Sequence, residues 1–203
     1  MKIAIVDYGM GNLRSVISAL KYLAIEDIIV SADEHELFSA DKIILPGVGS
    51  FRTAMELIRA KSLDAILRDL VINEKKPVLG ICLGMQLLGL SSSEGGYTEG
   101  LGLVDGVVDV FSNEQVVVPH VGYNQVLVNE PQRLYHGLKN ILDFYFVHSF
   151  KMSSDSNIGQ SLCKYSDSFV ASFEVGNIAG TQYHPELSQT NGLNVLKNFV
   201  ELF

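Results

Sequence analysis

The chain has no tryptophan, only two cysteines among 203 residues, and charged residues at 19% of the total. Cys82 and Cys163 are too few for a disulfide framework, so we expect two reduced thiols in a cytoplasmic protein. No apolar run approaches the roughly 20 residues that cross a membrane, and the N-terminus lacks the apolar stretch and cleavage site of a signal peptide. A surplus of basic residues is also missing. The net charge of -8 disfavours nucleic acid as a partner.

The first half of the sequence alternates strand-like and helix-like segments. Hydrophobic residues make up 47% of the chain, which suits a folded protein with a sizeable core. Apolar runs predict strands over 2–6, 27–30, 42–45 and 76–81, and apolar residues at helical spacing predict helices over 13–23, 53–59 and 63–72. This alternation predicts an α/β fold, a mainly parallel central sheet flanked by helices on both faces.

The second half has a different pattern. Short β-branched and aromatic runs separated by Gly, Asn and Asp predict additional β strands at 107–111, 125–128, 143–148, 161–165, 169–175 and 178–183. Apolar residues on one face predict a last helix over 192–202. The sequence contains no internal repeat, linker or low-complexity stretch, so we expect a single domain over residues 1–203.

The segment 80–84, GICLG, matches the G-x-nucleophile-x-G elbow with Cys82 in the place of serine. Such an elbow joins a buried strand to a helix through a strained turn, which Gly80 and Gly84 allow by lacking a Cβ. The sulfur then lies at the N-terminus of a helix that begins near Leu83, where a thiolate is favoured. Cysteine also serves as a small buried hydrophobe, and this alternative stays open for the segment alone.

A base for this nucleophile is available near the other end of the chain. The run 178–186, IAGTQYHPE, predicts a strand that stops at His184, Pro185 and Glu186. Held there, His184 faces the elbow and Glu186 orients its ring, which is the logic of a catalytic triad. The alternative is a strand-end histidine beside an exposed glutamate. Here the acid follows the histidine by two residues, whereas in α/β-hydrolases the acid precedes the histidine. This order disfavours an esterase.

Seven motifs give the sequence a resemblance to the class I (triad-type) glutamine amidotransferases, and among them to the glutaminase subunits of imidazole glycerol phosphate synthases. The resemblance covers nearly the whole chain. The motifs are DYGMGN (7–12), PGVGSF (46–51), GICLGMQLL (80–88), GLGL (100–103), PHVGYN (119–124), YFVHSF (145–150) and GTQYHPELSQ (180–189). The resemblance implies the flavodoxin-like class I glutaminase fold and hydrolysis of L-glutamine to glutamate and ammonia. The resemblance further implies that the ammonia passes to a synthase on a separate (β/α)₈-barrel chain, which forms a heterodimer with the glutaminase in histidine biosynthesis.

The resemblance also implies roles for individual residues. Cys82, His184 and Glu186 correspond to the catalytic triad. The backbone N–H of Leu83 is one oxyanion donor by the geometry of an elbow. The glycine loop after the 42–45 strand supplies the second, at Val48 and Gly49. The residues implied to hold glutamine are Gln86, Glu94, His148, Ser149 and Phe150.

His120 and His148 lie inside family motifs, but we expect them to be structural rather than catalytic. Neither metal-ligand spacing nor a nucleotide-binding fingerprint is present, so we expect no metal and no cofactor.

Two positions depart from the pattern of these subunits. Tyr123 stands where tryptophan is usual, and Leu187 stands where lysine is usual. The resemblance implies that both lie at the partner interface with Asn12, and that the lysine makes an ion pair across it. Because of these departures, the chain could instead be a relative that supplies ammonia for surface-sugar biosynthesis. A non-amidotransferase cysteine hydrolase of the same superfamily and a binding module with a vestigial site are the remaining alternatives.

Overall fold

Strands and helices alternate along the first half of the chain, as predicted. The structure, a computed structural model, describes residues 1–111, 116–128 and 132–203. The first four strands are β1 (Ile3–Val6), β2 (Ile28–Ser31), β3 (Lys42–Gly47) and β4 (Val78–Cys82). The helices among them are α1 (Leu13–Tyr22), α2 (Glu34–Ser39), α3 (Phe51–Ala60), α4 (Leu63–Ile72) and α5 (Leu83–Leu87).

The second half adds short strands and one long helix. The first strands there are β5 (Ser91–Ser92), β6 (Thr98–Glu99), β7 (Val107–Val110), β8 (His120–Leu127) and β9 (Ile141–His148). After them come β10 (Phe150–Ser153), β11 (Gln160–Lys164), β12 (Ser168–Val175), β13 (Ile178–Thr181) and α6 (Gln189–Leu202). Two 3₁₀ turns lie at Arg133–Tyr135 and Pro185–Leu187.

Helix α1 shows why the periodicity predicted the longer helices. Val16, Ala19 and Leu20 are buried at spacings of three and one, so one face of α1 packs on the sheet. Helix α2 was not predicted. It has six residues and buries only Leu37, and it depends on the side chain of Asp33, which accepts a hydrogen bond from the Glu36 N–H at 3.0 Å.

Nine strands form the main sheet of the described residues, in the order β2-β1-β3-β4-β13-β12-β11-β8-β9. The five strands from β2 to β13 are parallel, and the remaining strands continue antiparallel. The sheet is therefore mixed, with the predicted parallel part in the first half and at β13. Buried apolar side chains form one core cluster on each face, as expected for a sheet covered on both sides.

Parallel pairing brings the carboxyl ends of β3, β4 and β13 to the same edge of the sheet. Gly47 pairs with Cys82, and Thr181 pairs with Ile81, so the segments after the three strands are neighbours. Ligand sites of open α/β sheets lie at this edge.

A second sheet of four strands, β10-β7-β5-β6, was not predicted from the sequence. Strands β5 and β6 have two residues each and carry no periodicity. The prediction for β8 was also too short. Gly122 and Asn124 resemble turn residues, yet β8 pairs with β9 continuously from His120 opposite His148 to Leu127 opposite Ile141.

Candidate active site

Cys82 is the last residue of β4 and directly precedes α5. Its φ of +53° and ψ of −111° are strained for a residue with a side chain, as the elbow predicts. A Cβ on Gly84 would lie 1.7 Å from the carbonyl oxygen of Leu45, and one on Gly80 would lie 2.6 Å from Cα of Met85. Strand β3 and the start of α5 are therefore in direct backbone contact, and glycine is required at both positions of the elbow.

His184 and Glu186 form a buried pair beside the elbow. His184 Nδ1 lies 2.8 Å from Glu186 Oε1, and the two side chains are 3% and 1% exposed. The backbone N–H of His184 donates to Tyr145 O at 2.9 Å, and Ser188 Oγ donates to the His184 carbonyl at 2.6 Å. Strand β13 ends at Thr181, earlier than predicted, and the histidine is held by the 3₁₀ turn that follows it.

The protonation of His184 depends on two acidic neighbours. Burial alone would lower the pKa of His184, but hydrogen bonding with Cys82 and Glu186 and their negative charges raise it to about 10. Nε2 has no well-aligned hydrogen bond within the described part of the chain, which leaves it available on the side of Cys82. At neutral pH the ring is therefore a cation on the side of Cys82.

A cavity of about 330 Å³ opens above Cys82. Every residue predicted to supply an oxyanion donor or to hold the substrate lines it. These residues are Leu83, Val48, Gly49, Gln86, Glu94, His148, Ser149 and Phe150. Pro119 and Val147 complete the lining.

The oxyanion segment lies between β3 and α3. Leu83 is the first residue of α5, so its backbone N–H has no acceptor within the helix. Gly49 has a φ of +103° and Val48 is 40% exposed. The glycine loop predicted after the 42–45 strand included Gly47, and this boundary is wrong. Gly47 ends strand β3, and a Cβ there would lie 2.6 Å from Tyr8 Oη and 2.8 Å from the Gly84 backbone nitrogen, so the loop begins at Val48.

The wall of the cavity is fixed by hydrogen bonds to the backbone. Gln86 Nε2 donates to Phe150 O at 3.0 Å. Glu94 Oε2 accepts from the backbone N–H of Phe51 at 2.8 Å, so its carboxylate sits at the N-terminus of α3. These contacts hold an amide and a carboxylate at the rim of a cavity that contains the nucleophile.

Comparison with known proteins gives the family. The model of the family "Glutamine amidotransferase class-I" matches residues 4–202. The chain belongs to the class I glutamine amidotransferases.

Three relatives illustrate how far the similarity extends. Imidazole glycerol phosphate synthase subunit HisH 1 of Campylobacter jejuni is 41% identical over 98% of this chain and 100% of its own length. The HisH subunit of Methanosarcina acetivorans is 43% identical over 99% and 98%. The HisH subunit of Moorella thermoacetica is 44% identical over 98% and 94%. Family membership argues against the non-amidotransferase hydrolase that the sequence left open.

Solved structures agree on the fold. A crystal structure of a glutamine amidotransferase superposes with a TM-score of 0.76 at 19% identity, covering 100% of this chain and 98% of the other. The structure of PurLQS from Thermotoga maritima gives a TM-score of 0.67 at 20% identity, covering 98% and 97%. The flavodoxin-like amidotransferase fold expected from the sequence is confirmed.

Two buried residues of this amidotransferase were missed by the sequence analysis. Gln182 Nε2 lies 3.7 Å from Cys82 Sγ, and Tyr8 donates its phenolic hydrogen to Pro46 O at 2.9 Å. Burial and the nearby charge of Cys82 raise the pKa of Tyr8, so its hydroxyl stays protonated and keeps donating. Gln182 lies two residues before His184, and in an extended segment residues two apart share a face. That spacing was the available signal.

The amidotransferase motifs PHVGYN and YFVHSF bring two histidines together. His120 Nδ1 lies 3.0 Å from His148 Nε2, and His148 Nδ1 lies 2.8 Å from Phe150 O. Burial lowers the pKa of His148 to about 3 and also lowers that of His120. Both rings are therefore neutral and hydrogen-bonded, in agreement with the structural role expected for them.

Tyr123 and Leu187, two of the predicted interface residues, are neighbours on the surface. Tyr123 Oη donates to Leu187 O at 2.9 Å, and the residues are 49% and 40% exposed. Asn12 precedes α1, which packs against the 3₁₀ turn that contains Leu187. The three residues thus belong to adjoining elements.

Two features are absent from the described residues. No group of three or more His, Cys, Asp or Glu side chains in them is placed to hold a metal ion. No helix among them is long and apolar enough to cross a membrane.

Proposed function

We propose that this chain is the glutaminase subunit of an imidazole glycerol phosphate synthase. It forms one domain over residues 1–203, hydrolyses L-glutamine and passes ammonia to a partner in cytoplasmic histidine biosynthesis. The observation that carries the chemistry is Cys82 in a cavity lined by the candidate oxyanion donors, with the buried His184–Glu186 pair beside it. The pathway is supported by relatives 41–44% identical over almost their full length, whose names are those of synthase subunits.

In the first half-reaction the Cys82 thiolate attacks the side-chain amide carbon of glutamine. The carbonyl electrons move to oxygen, and the backbone N–H groups of Leu83 and of Val48 or Gly49 stabilise the oxyanion. As the carbonyl re-forms, the C–N bond breaks and His184 gives its proton to the leaving nitrogen, so ammonia departs and a thioester remains.

In the second half-reaction water attacks the thioester. His184, now neutral, takes a proton from the water, and the second tetrahedral intermediate uses the same oxyanion donors. The C–S bond then breaks to give glutamate and the thiolate. Glu186 keeps the ring oriented through Nδ1 and stabilises its protonated form in both halves.

The two ends of glutamine, its α-amino and α-carboxyl groups and its side-chain amide, need different partners, and the cavity offers different groups for each. We assign the binding of its backbone groups to the rim, where Glu94 offers a carboxylate and the segment 148–150 offers backbone groups. Gln86 lines the same cavity, and we assign the side-chain amide of the substrate to the space beside it.

We assign the partner to the surface that contains Asn12, Tyr123 and Leu187, and expect a (β/α)₈-barrel synthase subunit in a heterodimer. One observation favours a second candidate. Leu187 replaces a lysine expected to form an interfacial ion pair, which suits a partner with an apolar or neutral residue opposite it, such as a homologue that serves surface-sugar biosynthesis. The glutaminase chemistry is the same for both candidates.

The chemistry is tested with an electrophilic glutamine analogue. It is expected to label Cys82 and to leave Cys163 unmodified, because Cys163 is buried and its burial raises the pKa of the thiol to about 12. Cys82→Ser is expected to abolish glutamine hydrolysis without unfolding the chain. Label on Cys163, or wild-type turnover by Cys82→Ser, would contradict the assignment.

A further inference from the structure

A buried chain of side-chain amides leads to the nucleophile. Gln182 Nε2 lies 3.7 Å from Cys82 Sγ, and Gln182 Oε1 lies 2.8 Å from Gln86 Nε2. The same Gln86 nitrogen lies 3.0 Å from the backbone oxygen of Phe150. Gln182 is fully buried and Gln86 is 4% exposed, so water does not compete for these contacts.

The backbone carbonyl of Phe150 sets the direction of each hydrogen bond in this series of amides. A backbone carbonyl can only accept, so the Gln86 atom that faces it must be the NH₂ group. The second hydrogen of that NH₂ goes to Gln182, whose oxygen must therefore face Gln86. The NH₂ group of Gln182 is then left facing Cys82, with no freedom to present its oxygen instead.

A second donor reinforces the Phe150 carbonyl from the other side. His148 Nδ1 lies 2.8 Å from the same oxygen and must donate to it. His148 Nε2 is then an acceptor in the neutral ring and receives the Nδ1–H of His120 at 3.0 Å. Because both rings are buried and neutral, this arrangement is stable and holds the carbonyl in place.

Besides His184, two described groups lie within hydrogen-bonding distance of the Cys82 sulfur, and they have opposite requirements. As a thiol it donates to Val147 O at 3.8 Å, and as a thiolate it can only accept. The amide of Gln182 can only donate to it, and a hydrogen bond to an ionised acceptor is stronger than one to a neutral acceptor. The other titratable groups facing the sulfur are His184, a cation, and Tyr8, a neutral phenol.

We propose that Gln182 is a positioning residue for the nucleophile, whose side-chain amide donates to Cys82 Sγ and stabilises the thiolate in the orientation used for attack. Gln86 and the Phe150 carbonyl hold that amide in its donating orientation. This inference rests on the proposed role of Cys82 and adds to it a residue outside the triad.

The test uses two substitutions of Gln182. Gln182→Glu keeps an acceptor for Gln86 and removes the donor to sulfur, and Gln182→Met removes both while keeping the length of the side chain. Iodoacetamide alkylates Cys82, and mass spectrometry of the Cys82 peptide gives the rate. The readout is the ratio of the alkylation rate at neutral pH to the rate at alkaline pH. We expect this ratio to fall about 10-fold, the size of a hydrogen bond to a charged group. The kcat for glutamine should fall more than KM changes.

The matched control is Asn198→Asp. Asn198 is also a buried amide, and it donates to the carbonyls of Leu134 and His136 rather than to the site. This substitution should lower thermal stability and leave the alkylation ratio unchanged. A third variant, Gln86→Met, frees the Gln182 amide to rotate and should lower the ratio by a smaller factor.

The proposal fails if both Gln182 variants alkylate Cys82 with the wild-type ratio, or if Asn198→Asp lowers that ratio equally. The measurement does not depend on glutamine turnover. If the wild-type protein shows no glutaminase activity even with its cognate synthase, while the alkylation ratio still falls on substitution of Gln182, the proposed function is overturned and the thiolate contact is supported.

Discussion

At the scale of single residues, the protonation of His184 governs the site. Its ring bonds to Glu186 on one side and faces Cys82 on the other, and both neighbours raise its pKa to about 10 against the effect of burial. A general acid for the departing ammonia must be protonated at neutral pH, and this environment supplies that state.

Substitution of the two partners should therefore have unequal effects. His184→Ala should lower kcat by about 10²- to 10⁴-fold, the magnitude of general acid–base catalysis, and come close to the loss caused by Cys82→Ser. Glu186→Gln should be milder, because it removes a charge and keeps an acceptor for Nδ1. Steady-state glutaminase kinetics measure both, and equally negligible losses would remove the triad from the mechanism.

The same pair predicts how stability depends on pH. The folded-state pKa of His184 is raised from 6.5 to about 10, so its stabilising contribution is complete below pH 6.5 and is lost as the pH rises through about 10. The stability difference between wild type and Glu186→Gln should follow that course. Urea unfolding across this range measures it, and a difference that grows toward alkaline pH would contradict the assignment.

At the scale of elements, the site depends on the close contact between β3, β4 and α5. Gly47 and Gly84 face each other across this contact, and neither has room for a methyl group. Beyond the packed end of β3, the proposed second oxyanion donor lies on the short segment of Val48 and Gly49, where Gly49 has a φ of +103°.

Gly84→Ala is expected to be severe. Its Cβ would lie 1.7 Å from Leu45 O, which forces α5 away from β3, at a cost of about 3 kcal/mol or more for overpacking, with loss of glutaminase activity. Gly176→Ala is the control, because a Cβ there meets nothing within 4 Å and its φ of +59° costs about 1 kcal/mol. Thermal unfolding and activity should separate the two variants. Equal stabilities would show that the backbone contact does not constrain the elbow.

At the scale of the whole molecule, the site opens beside the surface expected to meet the synthase. The segment 48–49 is the proposed source of one oxyanion donor, and Gly49 lies against the side chain of Met10, two residues before Asn12. We predict that the isolated chain has low glutaminase activity and that its cognate synthase stimulates it, because the partner biases the orientation of this segment. Glutamate release with and without the synthase measures this. Full activity of the chain alone, unchanged by any partner, would contradict the prediction.

Leu187 distinguishes the two candidate partners. An exposed ion pair contributes roughly 0–1 kcal/mol, whereas a desolvated interfacial pair couples by about 1.5 kcal/mol or more, so a carboxylate buried against leucine would be costly. Affinity and ammonia transfer are measured for wild type and Leu187→Lys against a histidine-pathway barrel and a surface-sugar homologue. If wild type couples efficiently to the histidine-pathway barrel and lysine weakens it, the histidine assignment holds. If Leu187→Lys binds the histidine-pathway barrel several-fold more tightly and wild type barely binds it, the surface-sugar homologue is favoured as the natural partner.

The sequence alone was sufficient for the α/β class, the elbow and the residues of the candidate triad. Local patterns carry these features, because strands and long helices have a period and an elbow has fixed glycines. Short elements without a period, such as α2, β5 and β6, were not predictable in this way. The position of α2 depends on its cap at Asp33, and those of β5 and β6 depend on pairing, β5 with β7 and β6 with β5.

Only the tertiary structure decided which side chains surround the nucleophile. Gln182 lies 100 positions from Cys82 and Gln86 lies 64 from Phe150, and the pairing of β4 with β13 brings the first pair together. The orientation of the Gln182 amide is set by a carbonyl that it does not touch. Sequence patterns record which residues recur at short spacing, whereas hydrogen-bond direction inside a buried network depends on all of its members at once.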